Sequence, residues 1–240
     1  MKILAIDSSG LVASVAVVED ETLLAEFTID YKKTHSQTLL PMLDQMAKMI
    51  ELDLNSIDAI AVAGGPGSFT GLRIGSATAK GLGLALDKPL LHIPTVDALA
   101  YNLYGVETLI CPIMDARRNQ VYTGVYRFEV DKFCTVKEQE PMAIEALAEL
   151  LNDRGEAVVF LGDGVPVYRE ALKELLKVPY RFAPAHVNRQ RAAAVAALGL
   201  LYAADGKFET ATEHCPDYLR LSQAERERAE REAKAQKGEY

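Results

Sequence analysis

The sequence predicts an α/β protein in which one plan of strands and helices is used twice. Short apolar strand candidates alternate with helical segments along most of the chain. The order strand, aspartate, turn, strand in ILAIDSSGLVASVAVV returns in the second half as LICPIMDARRNQVYTGVY, with Asp115 in the place of Asp7. A third signal is the segment over 57–89, IDAIAVAGGPGSFTGLRIGSATAKGLGLALDKP, in which a buried strand runs through a glycine-rich loop into a helix.

Taken in order, an apolar strand over 3–6 ends in Asp7-Ser8-Ser9-Gly10. A second strand over 13–18, an acidic turn at Glu19-Asp20-Glu21 and a third strand over 23–29 complete a meander. A helix over 36–50 carries Leu39, Leu43, Met46 and Ile50 on one stripe, flanked by Met42 and Met49. After the glycine-rich segment come a buried strand over 90–93 and a short helix over 96–103. From Thr108 the plan restarts, with strands through MDARRNQVYTGVY and over 134–140, then a helix over 143–152. A strand over 157–161 ending in Gly162-Asp163-Gly164, a helix over 168–176 and an alanine-rich helix over 189–204 follow.

Three antiparallel strands, helix, strand, helix, strand is the ribonuclease-H-like order. Two tandem copies with mixed sheets give the architecture of actin, sugar kinases and heat-shock ATPases. The expected division is 1–105 for the first subdomain, 106–221 for the second and 222–240 for a charged tail. That tail pairs Glu227 with Arg231 and Glu230 with Lys234 at helical spacing but has no apolar stripe, which predicts a solvated helix.

At 240 residues and 49% hydrophobic content the chain can bury a substantial core. A formal charge of −8 argues against autonomous tight binding to nucleic acid, which depends on neutralising phosphates with Lys and Arg. Cys111, Cys134 and Cys215 are far apart without a C-x-x-C pair, as in a reducing compartment. The apolar run in MKILAIDSS is too short for a signal-peptide core, and no run of about 18 apolar residues is present, so a cytoplasmic protein without a membrane span is expected.

The helix after the glycine loop is the most informative element. A glycine inside a helix costs about 1 kcal/mol relative to alanine, so Gly75, Gly81 and Gly83 require a packing reason. Gly71, Gly75, Ala79 and Gly83 recur every four residues, and Ala77, Gly81 and Ala85 form a second row. Two ridges are therefore almost bare, and another backbone can approach closely there. The plainer alternative is that one ridge packs on the chain's own sheet.

Catalytic and cofactor motifs are poor matches. Gly64, Gly65 and Gly67 ahead of Ser68 and Thr70 invite a phosphate at the helix N-terminus, but Gly71 is followed by Leu72 and Arg73 rather than Lys and Ser or Thr, and G-x-G-x-x-G spacing is missed. Ser68 reads better as an N-cap. His35, His92, His186 and His214 are scattered singly, so no metal site is expected. G-x-S-x-G is missing, and Arg117 and Arg118 after Asp115 fit either solvated turn residues or an anion contact. Asp7 stands where an actin-type ATPase holds hydrated magnesium, yet Leu11 and Val12 follow where a phosphate loop favours glycine or threonine.

With ILAIDSS, THSQTLLPML, IDAIAVAGGPGSFTGLRIG, KGLGLALDKP, MDARRNQVYTGVY, LGDG and PDYLRLSQAE in view, the chain closely resembles the TsaB (YeaZ) family of tRNA threonylcarbamoyladenosine biosynthesis. The central segment also resembles the catalytic paralogue TsaD, whose metal-binding histidines correspond to Thr95 and Leu99 here. The resemblance implies a non-catalytic subunit with no cofactor or metal of its own, while TsaD transfers threonylcarbamoyl to adenosine N6. It implies pairing with TsaD, participation of the ATPase TsaE, contact with tRNA only through the complex, and self-association when alone. Family pairing through the first two helices points to Leu39, Met42, Met46 and Met49 on one helix and Gly71, Gly75, Ala79 and Gly83 on the other. The competing expectations are an ATP-dependent phosphotransferase using Asp7 and, as some relatives were once labelled, a metallopeptidase.

Overall fold

The computed structural model describes residues 1–31 and 34–219. The charged segment 222–240 and the end of PDYLRLSQAE lie outside the described residues. Among the described residues each half has eight strands and α-helices in the same order. The first comprises β1 (Lys2–Asp7), β2 (Ala13–Glu19), β3 (Thr22–Ile29), α1 (His35–Met49), β4 (Ala59–Gly65), α2 (Phe69–Leu86), β5 (Leu90–Pro94) and α3 (Thr95–Tyr101). The second comprises β6 (Leu109–Asp115), β7 (Gln120–Glu129), β8 (Lys132–Ala143), α4 (Ile144–Arg154), β9 (Val158–Leu161), α5 (Gly164–Leu175), β10 (Tyr180–Phe182) and α6 (Ala192–Ala204).

The duplication extends to the sheets. One has strand order β3-β2-β1-β4-β5 and the other β8-β7-β6-β9-β10. In each, the first three strands are antiparallel, and the last two run parallel to the first. β1 and β4 are almost wholly apolar because both faces of the first sheet are covered. Leu4, Ile6, Val15 and Ile60 pack with Leu39, Met42 and Met46 of α1, while Ile3, Ala5, Ala61 and Leu91 pack with α6. β10 has no sequence signal, since Tyr180-Arg181-Phe182 is too short for periodicity to register.

The last helix of each half leaves its own half. α6 lies on β1, β2 and β5, and α3 packs on β6 and β7. Val96, Leu99 and Ala100 of α3 thus share a core with Ile110, Met114 and Tyr126. Two polar anchors on the first sheet receive α6: Ser14 Oγ accepts from Ala192 N at 2.9 Å, and Glu26 Oε1 accepts from Ala193 N at 3.0 Å. Glu26 also pairs with Arg191. Residues 192–204 thus follow the second half in sequence but pack into the core of the first, across the expected boundary at 105/106.

The bare rows of α2 separate cleanly. The Gly71, Gly75, Ala79 and Gly83 row faces inward: a Cβ at Gly71 would overlap the Ser8 carbonyl, one at Gly75 the Ser8 hydroxyl, and one at Gly83 would crowd Leu90 and Ala211. Ala79 belongs to the core with Val62 and Leu90. In contrast, Ala77, Gly81 and Ala85 are exposed, and nothing lies near a Cβ built at Gly81. Gly71→Ala should accordingly destabilise the fold by about 1–3 kcal/mol through overpacking. Gly81→Ala should stabilise it by about 1 kcal/mol through helix propensity. Urea denaturation of the two variants checks both signs.

Candidate functional site

Between the halves opens a cleft of about 750 Å³, walled by the β1–β2 turn, the start of α2, the β6–β7 turn and the segment ending at Leu219. The glycine loop on its rim is already committed to the protein's own groups. Ser68 N donates to Ser9 O at 2.6 Å, Gly71 N to Ser68 Oγ at 3.3 Å and Gly65 N to Thr95 Oγ1 at 3.1 Å. Ser68 is thus the N-cap that its position predicted. A Cβ at Gly67 would overlap the Ser9 carbonyl, so the loop glycines serve close approach of two backbone turns rather than a phosphate cradle.

Charge in the cleft is predominantly negative. Asp30, Asp115, Asp163 and Asp217 line it, against Arg117 and Arg189. Both arginines are engaged, Arg117 with Asp115 at 3.0 Å and Arg189 with Asp30 at 3.4 Å. Tyr168 Oη donates to Asp115 at 3.2 Å, and burial raises the Asp163 carboxyl above its ordinary range. Four carboxylates facing two occupied cations do not favour a polyphosphate. Arg117, Arg118 and Asn119 hold φ of 64°, 56° and 55°, a run of left-handed residues without glycine that presents Arg117 to the cleft. Gln190, which carried no sequence signal, is buried in the wall, and both polar atoms of its amide lack a protein partner.

Asp7 does not reach this cleft. It is 1% exposed, and its Oδ1 accepts from Ser9 N at 2.9 Å and Ser9 Oγ at 2.6 Å. His35 also serves the same turn, with Nε2 2.8 Å from Gly10 O. Thr95 and Leu99 are core residues: Leu99 packs with Ile110 and Leu161, and Thr95 is spent on Gly65 N.

The family model described as TsaD: tRNA N6-adenosine threonylcarbamoyltransferase matches residues 22–228. The Bacillus subtilis (strain 168) tRNA threonylcarbamoyladenosine biosynthesis protein TsaB is 33% identical over 227 residues, covering 94% of this chain and 96% of that protein. This chain belongs to the TsaB family. A crystal structure from Pseudomonas aeruginosa, described as an uncharacterized protein with similarity to peptidase YEAZ, superposes with TM-score 0.79 at 27% identity, covering 91% of this chain and 99% of that one. The ROK hexokinase of Thermus thermophilus, at TM-score 0.50 and 15% identity over 86% of this chain and 100% of that one, shares the fold alone. The chain is therefore an α/β protein with the actin and sugar-kinase type of fold, as its element order predicted.

Most of the residues expected to meet a partner lie on the inner sides of α1 and α2. Leu39, Met42, Met46, Gly71, Gly75, Ala79 and Gly83 are all buried within this chain, because α1 and α2 turn these residues onto their own sheet. Met49 alone of the eight is exposed, at 66%. The open face consists instead of Met49 and Leu40 on α1 with Ala77, Gly81, Leu84 and Ala85 on α2. Residues 205–219 cover another flank of α2, where Tyr218 packs on Phe69 with ring centroids 4.8 Å apart and accepts a hydrogen bond from Arg73 Nε at 3.3 Å. Those contacts had no local signature, since they join segments far apart in sequence.

Two buried carboxyls make stability depend on pH. Burial raises Asp7 from an ordinary 3.8 to about 6, outweighing the hydrogen bonds from Ser9. Asp97 rises to about 6 for the same reason, against the bond from Tyr126 Oη at 2.6 Å. A carboxyl with a raised folded-state pKa contributes stability that is complete below 3.8 and lost as pH rises through about 6. Asp7→Asn keeps the acceptor that Ser9 uses and removes the charge. It should be more stable than the parent at neutral pH by roughly 3 kcal/mol and show a shallower fall between those two values, measured by urea denaturation across pH.

Proposed function

We propose that this chain is a non-catalytic dimerisation and activating subunit of the assembly that adds threonylcarbamoyl to adenosine N6 next to the tRNA anticodon. It pairs with TsaD, works with the ATPase TsaE and meets tRNA only through the complex, in the cytoplasm. Membership of the TsaB family supports the pathway, since relatives carry the name of tRNA threonylcarbamoyladenosine biosynthesis. The observation that carries the non-catalytic reading is the fate of Thr95 and Leu99. At the positions where the resemblance puts the metal histidines of TsaD, these side chains are 0% and 1% exposed and hold the core. Neither offers imidazole to a metal. The phosphotransferase alternative loses its principal residue, because Asp7 is consumed by the turn it supports.

The pairing surface is the open α1–α2 face. Leu84 is 68% exposed and Leu40 53%, beside a ridge at Ala77, Gly81 and Ala85 that lets a partner helix approach closely. In the absence of TsaD the same face joins two copies of this chain. Gly81→Leu should leave the chain folded, because a side chain there meets open space in the isolated subunit. It should abolish pairing in sedimentation experiments and reduce tRNA modification to background when mixed with cognate TsaD and TsaE. Gly75→Leu should lower stability instead, as its side chain would collide with Ser8. Modification by TsaD and TsaE at full rate with this subunit omitted would overturn the proposal.

A further inference from the structure

His92 and His214, isolated in sequence, are neighbours in space. The strand β5 supplies His92, while residues 205–219 return over α2 and bring Glu209 and His214 beside it. One ligand atom from each of these three side chains lies within 4.8 Å of the others. Asp217 stands next to them, with Oδ2 3.1 Å from His92 Nε2. The two rings are 5.5 Å apart between centroids. Two imidazoles and two carboxylates form a donor set typical of zinc and similar first-row divalent ions.

We propose that His92, Glu209, His214 and Asp217 bind one zinc-type divalent cation, which clamps the C-terminal segment onto β5 and α2. The site has the supporting shell that such a cation needs. His214 is 2% exposed, and its Nε2 lies 2.6 Å from Ser76 Oγ. With Nδ1 bound to metal, Nε2–H donates to Ser76, which fixes the tautomer and the ring plane. Glu209 Oε2 is already 3.0 Å from His214 Nδ1. The backbones are held independently of the ion: Glu209 pairs with Leu90 at 2.8 and 2.9 Å, and Asp217 N donates to Gly64 O at 2.7 Å. Lys80, the nearby cation, is directed to the His214 carbonyl at 2.9 Å and not to the ligand atoms. Tetrahedral bonds of zinc length place ligand atoms about 3.4 Å apart, so the side chains of His92, Glu209 and His214 need to close by up to about 1.4 Å.

Glu209, His214 and Ser76 also follow the hydrogen-bond order of a hydrolytic triad. Ser76 is 5% exposed in the middle of α2 with its hydroxyl turned to the imidazole, so a substrate carbonyl does not reach it. Its role is to orient His214.

Chelator-treated full-length chain titrated with zinc chloride should take up one equivalent by calorimetry. Its melting midpoint should rise by roughly 5–10 °C at free zinc a hundredfold above Kd. Cobalt(II) should give the visible absorption of a tetrahedral ion without a thiolate charge-transfer band. Ser76→Ala should weaken zinc binding by about 10–100-fold. Glu209→Gln and His92→Gln, both at partly exposed positions, should abolish the one-equivalent uptake while melting like the parent in chelator. Cys215→Ser should bind as the parent does, although Cys215 adjoins His214. Failure of the parent chain to bind one equivalent would overturn the proposal, as would unchanged binding by Glu209→Gln and His92→Gln or loss of binding in Cys215→Ser.

Discussion

The close approach of α2 to the turn between β1 and β2 is the constraint on which the rest of this molecule depends. Helix and turn meet backbone to backbone, which only glycine at positions 67 and 71 permits. Ser68 N to Ser9 O and Ser8 Oγ to Gly71 O tie the two together. That contact sets the rotation of α2. With Gly71, Gly75 and Ala79 turned inward, Ala77, Gly81 and Leu84 necessarily face out, and Phe69, Arg73 and Ser76 meet residues 205–219. One helix therefore carries three duties on three sides: closing the core, presenting an open ridge and receiving the C-terminal segment.

A second constraint joins the halves. Because α3 is buried on the second sheet and α6 on the first, neither half completes its core alone. Tyr126 of β7 donates to Asp97 of α3 and stacks on Phe133 with planes 8° apart. Gln139 of β8 donates to Gly65 O and accepts from Val96 N. The cleft between the halves is thus framed by elements that each half lends to the other. Its acidic lining and the inward-turned Asp7 set it apart from a site that must hold several phosphates. With a hexokinase this chain shares the fold alone.

Most of the element order was legible because it rests on local signals. Apolar runs ending in Asp7 and Asp115, the repeated hairpin pattern and the Ser68 cap each write their structure within a few residues. The stripe of Leu39, Leu43 and Met46 likewise marked a helix, but periodicity says only that one face is apolar. Whether that face meets the chain's own sheet or another subunit is decided by what lies opposite. For α1 and the first row of α2 the answer is β1, β2 and β4, which is why seven of the eight expected interface residues prove to be internal. Four scattered histidines gave no hint of a cluster, since His92 and His214 meet only through the return of the C-terminal segment.

The amino-acid sequence alone determined the duplicated α/β plan, the Ser68 cap and the demand for a bare helix after the glycine loop. Each of these is a matter of residue type and short-range spacing. Tertiary structure alone decided which ridge of α2 stays open, that α6 packs on the first sheet and that His92, Glu209 and His214 come together. Those outcomes depend on long-range packing, where the burial of one face fixes the exposure of the other.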